Sequence, residues 1–145
     1  MSKKKVADSL KIALANNYAL YLKTQNYHWN VTGPNFKPLH LLFEEEYNSL
    51  FVANDDIAER VRALGEKVPA SFEIFNADSK IKDGNENASA EDMVKELADD
   101  QEIMVGLLND TLKAAQDAND EVTIGFVTER MGVHEKAAWM LRSSI

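Results

Sequence analysis

Phe36-Lys37-Pro38-Leu39-His40-Leu41-Leu42-Phe43-Glu44-Glu45-Glu46-Tyr47-Asn48-Ser49-Leu50 opens a stretch that continues to Leu64-Gly65. Within it Phe36, His40, Phe43, Tyr47, Leu50, Asn54, Ile57, Val61 and Leu64 recur at steps of three and four. That is the period of one helix face, and Gly65 supplies a C-cap. Upstream, Val6, Leu10, Ala13, Leu14, Leu20 and Tyr21 predict a helix over about 4–30, closed by the Gly33-Pro34 turn. Downstream, residues 66–88 are mostly polar, with one apolar clump, Phe72, Ile74 and Phe75, that predicts a short helix. Ser89-Ala90-Glu91-Asp92 reads as a capping box. It opens a stripe of Met93, Leu97, Gln101, Met104, Leu108, Leu112 and Ala115. A polar turn at 116–120 precedes the last stripe, Val122, Phe126, Val127, Met131, His134, Ala138 and Leu141.

Short first and last connections with a long middle one imply an all-α chain. It is a four-helix bundle with a crossover between its second and third helices, the topology of ferritin-like folds. At 145 residues, 45% of them hydrophobic, the chain has the size and core of one domain over 1–145, with 1–5 as a short basic tail. No apolar run is long enough to span a bilayer, and Met1-Ser2-Lys3-Lys4-Lys5 lacks the apolar core of a signal peptide. The expected location is therefore the cytoplasm. The absence of cysteine excludes disulfides, thiolate metal sites and thiol catalysis. A net charge of −8 favours cations over nucleic acid as partners.

Any metal must then be held by His, Asp or Glu. At about 100° per residue, His40, Glu44, Asp55 and Glu59 fall on one shoulder of the second helix, beside its buried stripe. His40 with Glu44, and Asp55 with Glu59, are each four apart and can meet around one ion. From His40 to Glu59, however, is nineteen residues, about 28 Å of helix, too far for one centre. An antiparallel pairing of this helix with a second copy resolves the separation. His40 then faces Glu59 and Glu44 faces Asp55, the numbers of each pair adding to 99. One isologous contact would build two identical sites from both subunits. His28 lies twelve residues before His40, across the Gly33-Pro34 turn that can bring the two together. Two imidazoles with several carboxylates suit iron or zinc, and the carboxylate richness favours iron cycling between its ferrous and ferric states.

Tyr27-His28-Trp29-Asn30-Val31-Thr32-Gly33, Phe36-x-x-Leu39-His40, Asp55-x-Ile57-Ala58-Glu59-Arg60 and His134-Glu135-Lys136 resemble the Dps family of mini-ferritins. The resemblance covers essentially the whole chain. It implies a hollow homododecamer with ferroxidase sites at its two-fold interfaces. His28, His40, Asp55 and Glu59 would be iron ligands, with Glu44 where the family often has Asp. It implies that Trp29, beside His28, can absorb oxidising equivalents. It further implies acidic three-fold pores, matched here by Asp120 and Glu121, although the family's next carboxylate falls at Gly125. The sequence lacks Glu-x-x-His, the helical pair of intra-bundle di-iron ferritins, which also points to an interface site. Trp139 reads as core packing, and His134 as structural, in a surface turn of the last helix.

The leading expectation is an enzyme that oxidises ferrous iron, preferably with hydrogen peroxide, and stores ferric mineral, so protecting DNA. The alternative is a DNA-compacting protein associated with the nucleoid. Its support is confined to Lys3, Lys4 and Lys5, a cluster that gains strength only if many tails act together and that works against the acidic shell. A cage without chemistry leaves the ligand set unexplained.

Overall fold

The computed structural model describes residues 2–145 and, among them, five helices and no strand. They are α1 (Ser2–Asn30), α2 (Phe36–Ala63), α3 (Phe72–Asp78), α4 (Ala90–Asp117) and α5 (Glu121–Arg142). α1 packs along α2 and α4 along α5, while α1 against α4 joins the two hairpins and α3 lies on α1. Tyr27, Phe43, Leu10, Leu20, Leu50, Ile57, Met93, Leu97, Met104, Leu108 and Leu141 are fully buried between the four long helices.

Local chemistry fixes where each helix stops. After α2, the Gly65 amide donates to Arg62 O at 3.0 Å and the Glu66 amide to Val61 O at 3.3 Å. That is the Schellman pattern, and it needs the left-handed φ of 94° that Gly65 adopts. Asn119 plays the same part after α4, at φ 55°, with Asn119 N to Gln116 O and Asp120 N to Ala115 O. Ser71, Ser89 and Asp120 cap α3, α4 and α5 by accepting from the amides of Ile74, Asp92 and Thr123. The predicted helix starts and the crossover helix thus stand.

Side chains of α1 and α4 tie down the crossover. Asn16 donates to Asp78 O and accepts from Lys80 N at 2.7 Å. The Tyr27 hydroxyl donates to Glu96 Oε1 at 2.6 Å and accepts from the Asn85 amide. Gly84 passes so close that a Cβ there would lie 3.0 Å from the Tyr27 ring. Lys23, buried, pairs with Asp100 at 2.8 Å and Glu96 at 3.3 Å.

Residues 2–5 of the basic N-terminal stretch form the first turn of α1, with Lys4 Nζ 3.4 Å from Asp8. Two expectations are corrected. Trp139 is 64% exposed on α5, not in the core, because its position falls between the buried Ala138 and Leu141 of the inward stripe. His134 is no surface residue: it is buried, its ring bonded to Gln101 at 2.5 Å.

Candidate metal centre

The turn at 31–35 brings the end of α1 against the start of α2. Val31 N bonds Tyr27 O, and Phe36 N bonds Gly33 O, with Gly33 at φ 111°. His28 and His40 meet there as stacked rings, centroids 3.8 Å apart and planes at 13°. Their backbones and rings are cross-bonded: His28 Nδ1 lies 2.6 Å from His40 O, and His40 Nδ1 lies 2.7 Å from His28 O. A carbonyl only accepts, so each Nδ1 carries its proton and donates. The neutral tautomer left by this arrangement presents an Nε2 lone pair, as a metal-binding imidazole held by a carbonyl does. Phe36 stacks on the outer side of His40 at 4.9 Å, and Tyr47 stands edge-on to His28 at 5.2 Å.

Glu44, one turn after His40, places Oε1 3.7 Å from His28 Nε2. His28, His40 and Glu44 each offer a ligand atom within 4.8 Å of the others. A lone pair lies in its ring plane, and two near-parallel planes do not converge on a point about 2 Å from both nitrogens. The corner therefore suits two neighbouring ions better than one shared ion. It has two nitrogens and one carboxylate, too few ligands to enclose either.

The other two sequence-predicted ligands are elsewhere. Asp55 and Glu59 are exposed, three to five turns along α2. Asp55 borders a shallow apolar depression formed by Leu14, Tyr18, Phe51, Val52 and Phe75. Phe51 and Val52 are 60% and 58% exposed, and Leu22, Trp29 and Phe72 extend an exposed apolar face over α1 and α3. Trp29, next to His28, is thus on the surface. Asp120 and Glu121 also part ways. Asp120 is engaged with Arg60 at 2.9 Å and with Thr123. Burial alone would raise its carboxyl, but Thr123 and Arg60 outweigh that and hold it below the usual range. Glu121 is exposed in the first turn of α5, with Gly125 one turn on.

Sequence reasoning passed over Glu46. It is buried with neither carboxylate oxygen hydrogen-bonded, and desolvation, then Glu45, pushes it up to about 8. It shares a cleft of about 210 Å³ with Ser49, Gln101, Arg130 and His134. Its place in the inward stripe, three after Phe43 and four before Leu50, was the available signal.

A family model for the ferritin-like domain matches residues 7–145. The "DNA protection during starvation protein 2" of Bacillus anthracis is 37% identical over 144 residues, covering 97% of this chain and 96% of that one. The chain belongs to the Dps family. Among solved Dps structures, that from Bacillus brevis superposes with a TM-score of 0.94 at 35% identity, covering 98% of this chain and 95% of that one. The Vibrio cholerae Dps gives 0.94 at 31% identity, covering 98% and 89%. It is described as a member of a broad superfamily of ferritin-like diiron-carboxylate proteins.

Proposed function

We propose that the His28–His40–Glu44 corner is half of a ferroxidase centre, completed by Asp55 and Glu59 of a second copy. The observation that carries this is the cross-bonded imidazole pair, with both Nε2 atoms free and Glu44 beside them. The corner lacks ligands, while the same chain displays a matched carboxylate pair beside an exposed apolar face. Such a face is the usual mark of a protein contact. An isologous dimer covers it and brings each carboxylate pair to the other copy's histidines.

Ferrous iron is the substrate. Imidazole suits the ferrous ion, and oxygen ligands stabilise the harder ferric product. Hydrogen peroxide is the oxidant, and Trp29 can supply electrons beside the site. The ferric product is stored in a shell of twelve copies in the cytoplasm. DNA protection then follows from removing iron and peroxide, not from compaction. Zinc, which takes the same imidazole and carboxylate ligands, would compete for the site.

The test is ferric absorbance after adding peroxide to protein loaded anaerobically with ferrous iron, with the assembly sized in parallel. Fast ferric formation should disappear in His28→Ala and His40→Ala. Equal rates in the variants would reject the site, and none in the wild type would reject the function.

A further inference from the structure

Both faces of the His40 ring are occupied. On one lies His28, centroids 3.8 Å apart and planes at 13°, and on the other Phe36, at 4.9 Å and 25°. Phe36 is the first residue of α2, where its amide donates to Gly33 O at 3.1 Å. Its side chain is exposed and fills little of the core, unlike Leu39 and Phe43 of the same helix. What the ring does is back His40. A metal ion lies in the plane of the imidazole that binds it, about 2 Å from the nitrogen. For one ion to take both Nε2 atoms, the two planes must tilt toward each other on the Nε2 side. Rings 3.8 Å apart are already in contact, so that tilt requires the far edge of one ring to move outward. His28 is buried and has no room to yield. His40 is half-buried, and Phe36 stands behind it, while the bond from His40 Nδ1 to His28 O holds the same far edge.

We propose that Phe36 is a positioning residue that sets metal selectivity: by backing His40 it keeps the two imidazoles parallel and denies copper and zinc a two-imidazole chelate. The proposal rests on the reading of the corner as a metal centre. Copper and zinc bind a given set of nitrogen and oxygen ligands more tightly than ferrous iron does, so geometry has to discriminate against them. Two imidazoles on one ion compound their advantage, because the second binds from an already tethered position. Held parallel, each imidazole gives one nitrogen to its own ion. The remaining ligands of that ion are carboxylate and water oxygens, to which copper and zinc are less partial. Removing the ring behind His40 opens the space into which its far edge can swing, and the two Nε2 atoms can then converge.

Electron spin-echo modulation of bound copper(II) tests this on the assembled protein, since the remote nitrogen of each coordinated imidazole modulates the echo and the ligands can be counted. Of the three histidines, His134 is buried and bonded to Gln101, so the imidazole signal reports the corner. With less than one copper per chain, one imidazole per ion is expected in the wild type and two in Phe36→Ala. Phe36→Tyr, which keeps a ring, should return the count to one. Zinc affinity, measured by competition with a chromogenic chelator, should rise ~10-fold or more in Phe36→Ala, the scale on which outer-shell partners act. Ferrous affinity should change by less. Two imidazoles on copper in the wild type overturn the proposal, and so does a single one in Phe36→Ala. Equal weakening of copper, zinc and ferrous iron in Phe36→Ala makes the ring merely structural and overturns it too. A copper signal without imidazole, unchanged in His40→Ala, overturns the corner as a metal centre along with it. Should Phe36→Ala fail to assemble, Phe36→Leu, apolar but unable to stack, takes its place.

Discussion

Glu44 and Glu46 leave α2 about 200° apart around its axis and enter opposite surroundings. Glu44 is 46% exposed by side chain and stands beside two imidazoles whose Nε2 atoms are free. Glu46 is 8% exposed and faces His134, Gln101 and Arg130 inside the bundle. Both places hold a carboxylate and imidazole, so residue type does not separate them. What separates them is what the imidazole has left to give. In the core, one His134 nitrogen is bonded to Gln101 and the other lies 3.4 Å from the Arg130 guanidinium. Desolvation first, then Arg130, pushes His134 down to about 3, and a cation stands where an ion would have to sit. At the corner, backbone carbonyls occupy the nitrogen not needed for metal. The bundle interior is thus closed to metal by its own cation, and the corner is left open toward a neighbour.

The largest effect should come from splitting the corner between copies. His40→Ala and Asp55→Ala homomers should each lose iron oxidation by more than the ~10–100-fold that loss of an outer-shell partner costs. Co-assembled, they should recover part of it, because some interfaces then contain one site with both defects and one intact site. Ferric absorbance on assemblies of proven mixed composition checks this, and absence of recovery would place the site within one subunit.

The core should respond in stability instead. His134→Ala leaves Gln101 without its partner and opens a cavity, together about 3 kcal/mol or more. A lowered denaturant midpoint is expected, with iron oxidation retained in the folded fraction. The loss should also depend on pH. His134 is depressed to about 3 in the fold, so its contribution is complete above its ordinary value of 6.5 and declines as pH falls from 6.5 toward 3. Across that window the unfolded chain takes up a proton that the folded chain, with Arg130 and the buried Glu46 facing the ring, does not. The stability gap between wild type and His134→Ala should narrow accordingly, and a constant gap would show that the imidazole is not held neutral.

Much of this contrast was legible in the sequence, and its limits are physical. The stripes gave the four long helices, and Phe72, Ile74 and Phe75 gave α3, because helix period and capping are local properties. His134 was in the inward stripe of α5 and its burial could have been read there. The adjoining Glu135 and Lys136 drew it to the surface instead. Trp139 departs for the opposite reason: a large apolar side chain suggests burial, and that rule runs one way only. The spacing brought His28 and His40 together but not their cross-bonding, since the acceptors are main-chain carbonyls common to every residue. Asp55 and Glu59 stood out by spacing, yet a single chain cannot bring them to the histidines.

The smallest effect sharpens the comparison most, because it changes only the reach of one side chain. Glu44→Asp withdraws the carboxylate by one methylene from a position 3.7 Å from His28 Nε2. An exposed substitution of this kind should leave stability within about ±0.5 kcal/mol. Withdrawing the carboxylate by one methylene leaves room for a water to bridge it to an ion. The affinity for ferrous iron should therefore shift only a few-fold, against near-complete loss in His28→Ala. Isothermal titration with ferrous iron under anaerobic conditions measures the difference. Glu46→Asp, two residues away, offers the contrast: water has poorer access there, and the variant should change stability while leaving the titration as it was. If Glu44→Asp instead abolished binding, Glu44 would be a bridging ligand of fixed reach. The division between an adaptable corner and a rigid core would then have to be redrawn around it.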